Sequence, residues 1–421
     1  MNRTSPESVE VNGRDYAFPK APAIAICLDG CEPAYLDAAI EAGLMPALEA
    51  IKAKGTVRTA HSVIPSFTNP NNLSIATGRP PSVHGICGNY LLDPETGEEV
   101  LMNDPRFLRA PTIFKSFHDA GAKVAVVTAK DKLRALLGHG LRFDEDRAVC
   151  FSAENSDTTT KDEHGLDNAS AWLGMPVPEV YSAGLSEFVF AAGVKLLAEF
   201  KPDVMYLTTT DYVQHKHAPG TAQANAFYEM FDRYLAQLDA MGAAIVVTGD
   251  HGMKPKHLAD GSPDVIYAQD LLDEWLGVAA ARVILPITDP YVVHHGALGG
   301  FATVYLPDGA DAAGVMAKLR AIEGIELVLD RATACARFEL PPDRIGDIVM
   351  LSTVHKVIGT SASRHDLAAL KEPLRSHGGL NTQAVPFIVN RAMADLPEAP
   401  ALRNFDAFHY ATLAARAGPV T

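Results

Sequence analysis

The chain has 421 residues, of which 48% are hydrophobic and 21% charged. That is a globular balance, which excludes wholesale disorder, and at roughly 150 residues per domain it suggests about two to three units. Lys plus Arg number 36 against 51 for Asp plus Glu, a formal charge of −15, which argues against a sequence-independent nucleic-acid binder because that role needs basic patches. An anionic small substrate stays compatible, since bound cations reverse the field inside a cleft.

In chain order, residues 1–20 read as a polar N-terminal extension broken by Pro6, Gly13 and Pro19. They lack the apolar core of a signal peptide, and no later run approaches a bilayer's thickness, so the expected location is cytoplasmic with no membrane partner. Apolar runs expected as buried parallel strands follow at Ala23–Leu28, Val124–Val127, Val204–Leu207, Ala244–Val247 and Phe387–Val389. Helical spacing recurs between them at Ile113–Ala120, Glu187–Phe200 and Ala222–Met241. This alternation predicts an α/β doubly wound sheet. Between Ile266 and Ala369 the rhythm shortens, with strands expected at Arg282–Leu285, Phe301–Tyr305, Glu326–Leu329 and Asp347–Leu351 and a helix at Ala312–Ile322. The expected organisation is therefore a core over 21–265, an inserted α+β unit over 266–369, and a return to the core over 370–421. Five cysteines (Cys27, Cys31, Cys87, Cys150 and Cys335) show no C-x-x-C spacing, so neither a disulfide framework nor a Cys-rich zinc site is indicated.

In open α/β sheets, chemistry collects at the carboxyl ends of strands. Asp29-Gly30 follows the first run, Asp211 with His215 follows the third, Asp250-His251-Gly252 follows the fourth, and His377-Gly378-Gly379 precedes the last. Taken singly, Asp29 reads as a turn residue, Asp211 and His215 as a solvated i, i+4 pair, and His377 as a loop histidine. Asp250-His251 ends a buried strand and needs polar partners. Jointly these side chains are the ligand types of a catalytic metal pair. For a nucleophile, the stretch from Ile64 to Gly78 places Thr68 just before a short helix, with Ser66 as the alternative. Thr68 also suits an N-cap, and the same position points backbone N–H groups and the positive helix end at an oxyanion.

As an ordered set, Asp29-Gly30, the Thr68 segment, Gly78-Arg79-Pro80-Pro81-Ser82-Val83-His84-Gly85-Ile86, Asn89, Asp211-x-x-x-His215, Asp250-His251-Gly252 and His377-Gly378-Gly379 resemble the alkaline phosphatase superfamily, in the branch that holds nucleotide pyrophosphatase/phosphodiesterases and phosphonoacetate hydrolases. The stretches Asp29-Gly30-Cys31-Glu32-Pro33, Ser66-Phe67-Thr68-Asn69-Pro70-Asn71-Asn72, His84-Gly85-Ile86-Cys87-Gly88-Asn89-Tyr90 and Met102-Asn103-Asp104-Pro105 look most like the phosphonoacetate hydrolases. The resemblance implies an alkaline phosphatase-like, mostly parallel sheet with the insert as a cap domain. It implies two zinc ions, although mixed Asp/His ligation also suits manganese or iron. Asp211, His215 and His377 would hold one ion, and Asp29, Asp250, His251 and the Thr68 hydroxyl the other. Asn89 would donate to a phosphonyl oxygen, with His215 also beside the substrate.

The implied reaction is hydrolysis of the carbon–phosphorus bond of phosphonoacetate through a phosphothreonine at Thr68. Because a bare carbanion is a poor leaving group, the substrate carboxylate must accept the electron pair. Lys130 and Lys132, after the second strand run, are the candidate carboxylate clamps; either lysine alone reads as solvated. The expected partner is a small anionic phosphonate, with no nucleic acid, bound by a monomer or homodimer. The rival readings are a nucleotide or aryl phosphodiesterase on the same metals and, more distantly, a noncatalytic anion-binding protein. Among the other histidines, His84 reads as structural, His217 and His257 as flanking or exposed, and His294-His295 as structural or solvated. Met102 and Tyr90 suit apolar packing or the pocket wall equally.

Overall fold

The computed structural model describes residues 6–287 and 298–416. Its centre is a seven-stranded sheet in the order Thr56–His61, Ala384–Val389, Ala244–Thr248, Ala23–Cys27, Val204–Thr208, Val124–Thr128, Ala148–Ser152. The five strands from Ala244–Thr248 to Ala148–Ser152 are mutually parallel. Every residue in those five strands is buried, as a parallel sheet covered on both faces requires.

Successive side chains alternate between two cores. Ile24 and Ile26 join Met205, Leu207, Phe188 and Phe231 beneath the helices Gly184–Glu199 and Ala222–Ala240. Ala25 and Cys27 join Val126, Tyr206, Leu73, Phe114 and Phe408 beneath the helices Thr68–Thr77, Ile113–Asp119 and Ala407–Arg416.

One expected strand runs the other way. Ala384–Val389, which contains the run Phe387–Val389 expected as parallel, is antiparallel to both neighbours. The cause is the entry point: this strand follows the His377–Thr382 segment at the carboxyl edge of the sheet, so the chain can only descend. The strands Thr56–His61 and Ala148–Ser152 were not expected from the sequence. Residues 8–17, expected as part of an extension, form a hairpin of Ser8–Val11 and Arg14–Ala17 turning through Asn12-Gly13, both at positive φ. Tyr16 is fully buried and Arg14 pairs with Asp406 at 2.6 Å.

A second, antiparallel sheet orders Arg282–Ile284, Phe301–Tyr305, Ile348–Ser352 and Ile325–Asp330. It carries the expected helix, observed at Ala312–Arg320, and an unexpected one at Arg331–Phe338. Phe301 from this sheet meets Phe67, the residue before Thr68, edge to face at 6.3 Å, so the second sheet abuts the Thr68 segment.

Candidate active site

Five chain segments converge at the carboxyl edge of the main sheet. Asp29 and Asp250-His251 leave adjacent parallel strands, and Asp211 leaves the next strand over and heads the short helix Tyr212–Lys216 that carries His215. Thr68 arrives from the Thr56–His61 side. His377 follows the two-residue ladder of Lys254-Pro255 with Arg375-Ser376. Two groups of ligating atoms lie within 4.8 Å of one another: Asp211, His251 and His377, and Asp29, Asp250 and His251. His215 joins the first group, its Nε2 lying 2.9 Å from Asp211 Oδ2. His251 Nε2 is 3.2 Å from Asp29 Oδ1, 3.8 Å from Asp250 Oδ2 and 3.4 Å from Thr68 Oγ1.

All three histidines are oriented alike. His215 Nδ1 faces Arg375 O at 2.9 Å, His251 Nδ1 faces Gly252 O at 3.0 Å, and His377 Nδ1 faces Ser66 O at 2.8 Å. A backbone carbonyl at Nδ1 holds the proton there and leaves the Nε2 lone pair aimed inward, the arrangement metal-ligating histidines adopt. The His251 and His377 rings stack at 3.6 Å with 4° between planes, which fixes both. Buried Arg375 supports this wall from behind, donating to Gln214 O and Met253 O and to the Tyr35 hydroxyl.

The charges in the protein alone do not balance. Asp29, Asp211 and Asp250 are all buried. Burial and the charges of Asp211 and Asp250 push the Asp29 carboxyl well above the usual carboxylate range, and burial likewise raises Asp250. Against its own burial, Asp211 is held low by His215, His377 and His251. His251, despite burial, is raised to about 9 by Asp250 and Asp29, while burial and the charge of His251 push His377 well below the ordinary value. Asp29 Oδ1 is buried without a hydrogen-bond donor. Three crowded carboxylates, inward lone pairs and an orphaned carboxylate oxygen fit divalent cations, which supply the missing positive charge. The chemistry of the donor set, Asp and His without Cys, is that of a metal hydrolase site.

Thr68 is the first residue of the helix, and Phe67 holds the cap position in extended conformation. Thr68 therefore is not the N-cap, and its hydroxyl faces His251. All ten residues of this helix are buried, so each polar one needs partners. Asn71 accepts from Val63 N at 2.7 Å and donates to the carbonyls of Val63, Pro65 and Phe67. Asn72 donates to Thr68 O at 3.0 Å and Asp250 Oδ2 at 3.2 Å, and accepts from the Tyr206 and Thr208 hydroxyls at 2.7 and 2.8 Å. It thereby ties the Thr68 segment to the Asp250 carboxylate and to the sheet, a role with no signal in the sequence. Ser66 Oγ donates to Gly379 O at 2.9 Å and pairs with Thr382 Oγ1 at 2.8 Å, which commits that hydroxyl to packing the His377 loop. Asn89 Oδ1 accepts the Asn69 N–H at 3.0 Å, so the amide nitrogen is the end left for a ligand.

Lys130 immediately precedes the helix Asp131–Leu137 at the carboxyl edge of Val124–Thr128. Its Nζ donates to Val180 O at 3.1 Å and lies 5.5 Å from the Tyr181 ring centroid. Burial lowers its pKa below the usual lysine value, against the pull of Glu154 and Asp211. Lys132 is half-buried, and among the described residues neither lysine has an ion-pair partner. His84 is fully buried between Ser74 Oγ and Ile86 N. Met102 is buried, and its carbonyl accepts from Asn69 Nδ2 at 3.3 Å. Tyr90, His217 and His257 are half-buried. His294-His295 lie outside the described residues.

A family model for type I phosphodiesterase / nucleotide pyrophosphatase matches residues 23–380. The chain belongs to that family. Phosphonoacetate hydrolase of Sinorhizobium meliloti 1021, solved with phosphonoformate, superposes with a TM-score of 0.96 at 77% identity, covering 98% of this chain and all (100%) of that one. The same enzyme with phosphonoacetate gives 0.95 at 77% identity and the same coverage. Murine ectonucleotide pyrophosphatase/phosphodiesterase 5 in complex with AMP shares the fold, with a TM-score of 0.62 at 17% identity over 94% of this chain and 95% of that chain. Mouse (Mus musculus) ectonucleotide pyrophosphatase/phosphodiesterase family member 1 is 33% identical over 90 residues, 21% of this chain, and the match spans only 10% of that longer protein. The family's α/β fold with a mostly parallel sheet is the one expected from the sequence.

Proposed function

We infer that the protein hydrolyses the carbon–phosphorus bond of phosphonoacetate to acetate and phosphate. The observation that carries this reading is the full-length likeness, at 77% identity, to the Sinorhizobium meliloti enzyme solved with phosphonoacetate. Asp211, His215 and His377 would hold one metal ion, and Asp29, Asp250 and His251 with the Thr68 hydroxyl a second, with zinc the proposed ion and manganese or iron compatible with the same nitrogen and oxygen donors. Such ions, when bound, lower the pKa of a coordinated hydroxyl and offset charge on the transferred phosphorus.

The chain's own residues supply the rest. Thr68 Oγ1 attacks phosphorus, a P–O bond forms and the C–P bond breaks opposite it. The released electron pair passes into the neighbouring carboxylate as an enediolate, which takes a proton to become acetate. Asn89 Nδ2, fixed by its other end on Asn69 N–H, donates to a phosphonyl oxygen. Lys130 and Lys132 face the carboxylate and oppose the charge that builds there. Water then opens the phosphothreonine, releasing phosphate and restoring the hydroxyl. Residues 266–369 act as a cap over this edge. Among the described residues no helix is long and apolar enough to cross a membrane.

A nucleotide or aryl phosphodiesterase on the same ligands is the second reading, favoured by the family model. The test is substrate chemistry. Phosphonoacetate turns over whereas methylphosphonate, with no carboxylate to take the electron pair, does not. Comparable turnover of both refutes the electron-sink mechanism, and cleavage of a phosphodiester alone moves the protein to the second reading.

A further inference from the structure

Between Gly174 and Ala183 the chain exposes three large apolar side chains, Val177, Val180 and Tyr181, the last 54% exposed. Pro176 and Pro178 stiffen this stretch, and it leads directly into the helix Gly184–Glu199. In that helix's first turn, Ser186 Oγ accepts the N–H of Thr210 at 3.3 Å, one residue before Asp211. The stretch is therefore anchored beside the metal site. Lys130 reaches the same place from the adjacent strand, since Thr128 and Thr208 are paired neighbours in the sheet. The field of Asp211 acts on its ammonium.

The partners of that ammonium are unusual for a lysine at a protein edge. A backbone carbonyl, Val180 O at 3.1 Å, and the face of Tyr181 at 5.5 Å hold it, within the range of a cation–π contact. Glu154, the acidic group whose charge also acts on Lys130, is bonded to the Asp131 N–H at 2.8 Å. A carboxylate partner would have neutralised the lysine and repelled an incoming carboxylate. A carbonyl and an aromatic face fix its position, shed water from one side and leave its net charge intact, which strengthens attraction for an anion arriving from the other side.

We propose that Tyr181 is a positioning residue for carboxylate recognition, its ring and the Val180 carbonyl holding the Lys130 ammonium where the carboxylate of a phosphono-carboxylic acid is received. This rests on the reading of Lys130 as a carboxylate clamp. The experiment measures dissociation constants by calorimetry on the metal-loaded full-length protein, for phosphonoformate, which carries a carboxylate, and for inorganic phosphate, which does not. Tyr181→Ala weakens phosphonoformate about fivefold and phosphate by less than about twofold, while Tyr181→Phe, which keeps the ring, stays within about twofold of the parent for both. Lys130→Ala weakens phosphonoformate about tenfold or more with phosphate again little changed. If Lys130→Ala leaves the ratio of the two constants unmoved, the clamp reading fails and the proposal with it. If Lys130→Ala shifts the ratio but Tyr181→Ala does not, or weakens both ligands equally, the clamp stands and the role given to Tyr181 is overturned.

Discussion

Lys256 is fully buried, its ammonium facing Thr353 O at 3.4 Å, Lys356 O at 3.1 Å and Asn381 Oδ1 at 3.5 Å. It links the turn after the insert strand Ile348–Ser352 to the segment that carries His377. Burial lowers its pKa from 10.5 to about 7, with Glu326 opposing and Lys254 adding to the shift. Below pH 7 both folded and unfolded chains hold the proton, and the folded state bears the full cost of the buried charge. Between about pH 7 and pH 10.5 only the unfolded chain keeps it, so stability rises with pH at about 1.4 kcal/mol per unit, about 5 kcal/mol across the window. Lys256→Met removes this dependence. Urea unfolding of both proteins should show the parent gaining about 2.7 kcal/mol on the variant between about pH 7.5 and pH 9.5. A difference that stays flat across that range would refute the argument, because it would mean that the ammonium keeps an ordinary pKa despite its burial.

Thr68→Ala should reduce phosphonoacetate turnover by a factor of about a thousand or more while the circular dichroism spectrum is unchanged; substantial residual turnover would shift the attack to Ser66 or to water. Asn72→Leu removes the shared acceptor of the Tyr206 and Thr208 hydroxyls and strips a donor from Asp250, so it should destabilise the protein by about 2 kcal/mol or more and weaken metal binding about tenfold. Unfolding and metal-competition titrations check this, and losses below about 1 kcal/mol would show that the network matters little. Dialysis against a chelator should abolish activity and lower the unfolding midpoint, both restored by zinc; an enzyme indifferent to chelation would contradict the metal assignment.

What the sequence makes visible follows from how each residue is satisfied. The inner strands announce themselves because a parallel strand buried on two faces is a near-continuous apolar run, as in Ala23–Cys27 or in residues 204–207. Thr56–His61 lies at the sheet's edge with only Thr56 and Ala60 buried, so its polar threonines and Arg58 conceal it. Strand direction is not written in an apolar run, which is why Phe387–Val389 misleads. Asp29, Asp211, Asp250, His251 and His377 stand out because a polar residue at the end of a buried run asks for an explanation nearby. Asn72 and Lys256 give no such signal. Beyond its own helix, the partners of Asn72 lie more than a hundred residues along the chain, at Tyr206, Thr208 and Asp250, and those of Lys256 lie about as far, at Thr353, Lys356 and Asn381. Tyr181 was invisible for the same reason, since its partner Lys130 comes from a different βα unit.

The central claim is that this site breaks a carbon–phosphorus bond. Phosphorus NMR of the zinc-loaded protein, with phosphonoacetate in one tube and a simple aryl phosphodiester in another, tests it most directly. The phosphonate resonance should give way to inorganic phosphate as acetate appears in equal amount. A phosphonate signal that persists while the diester is consumed would contradict it.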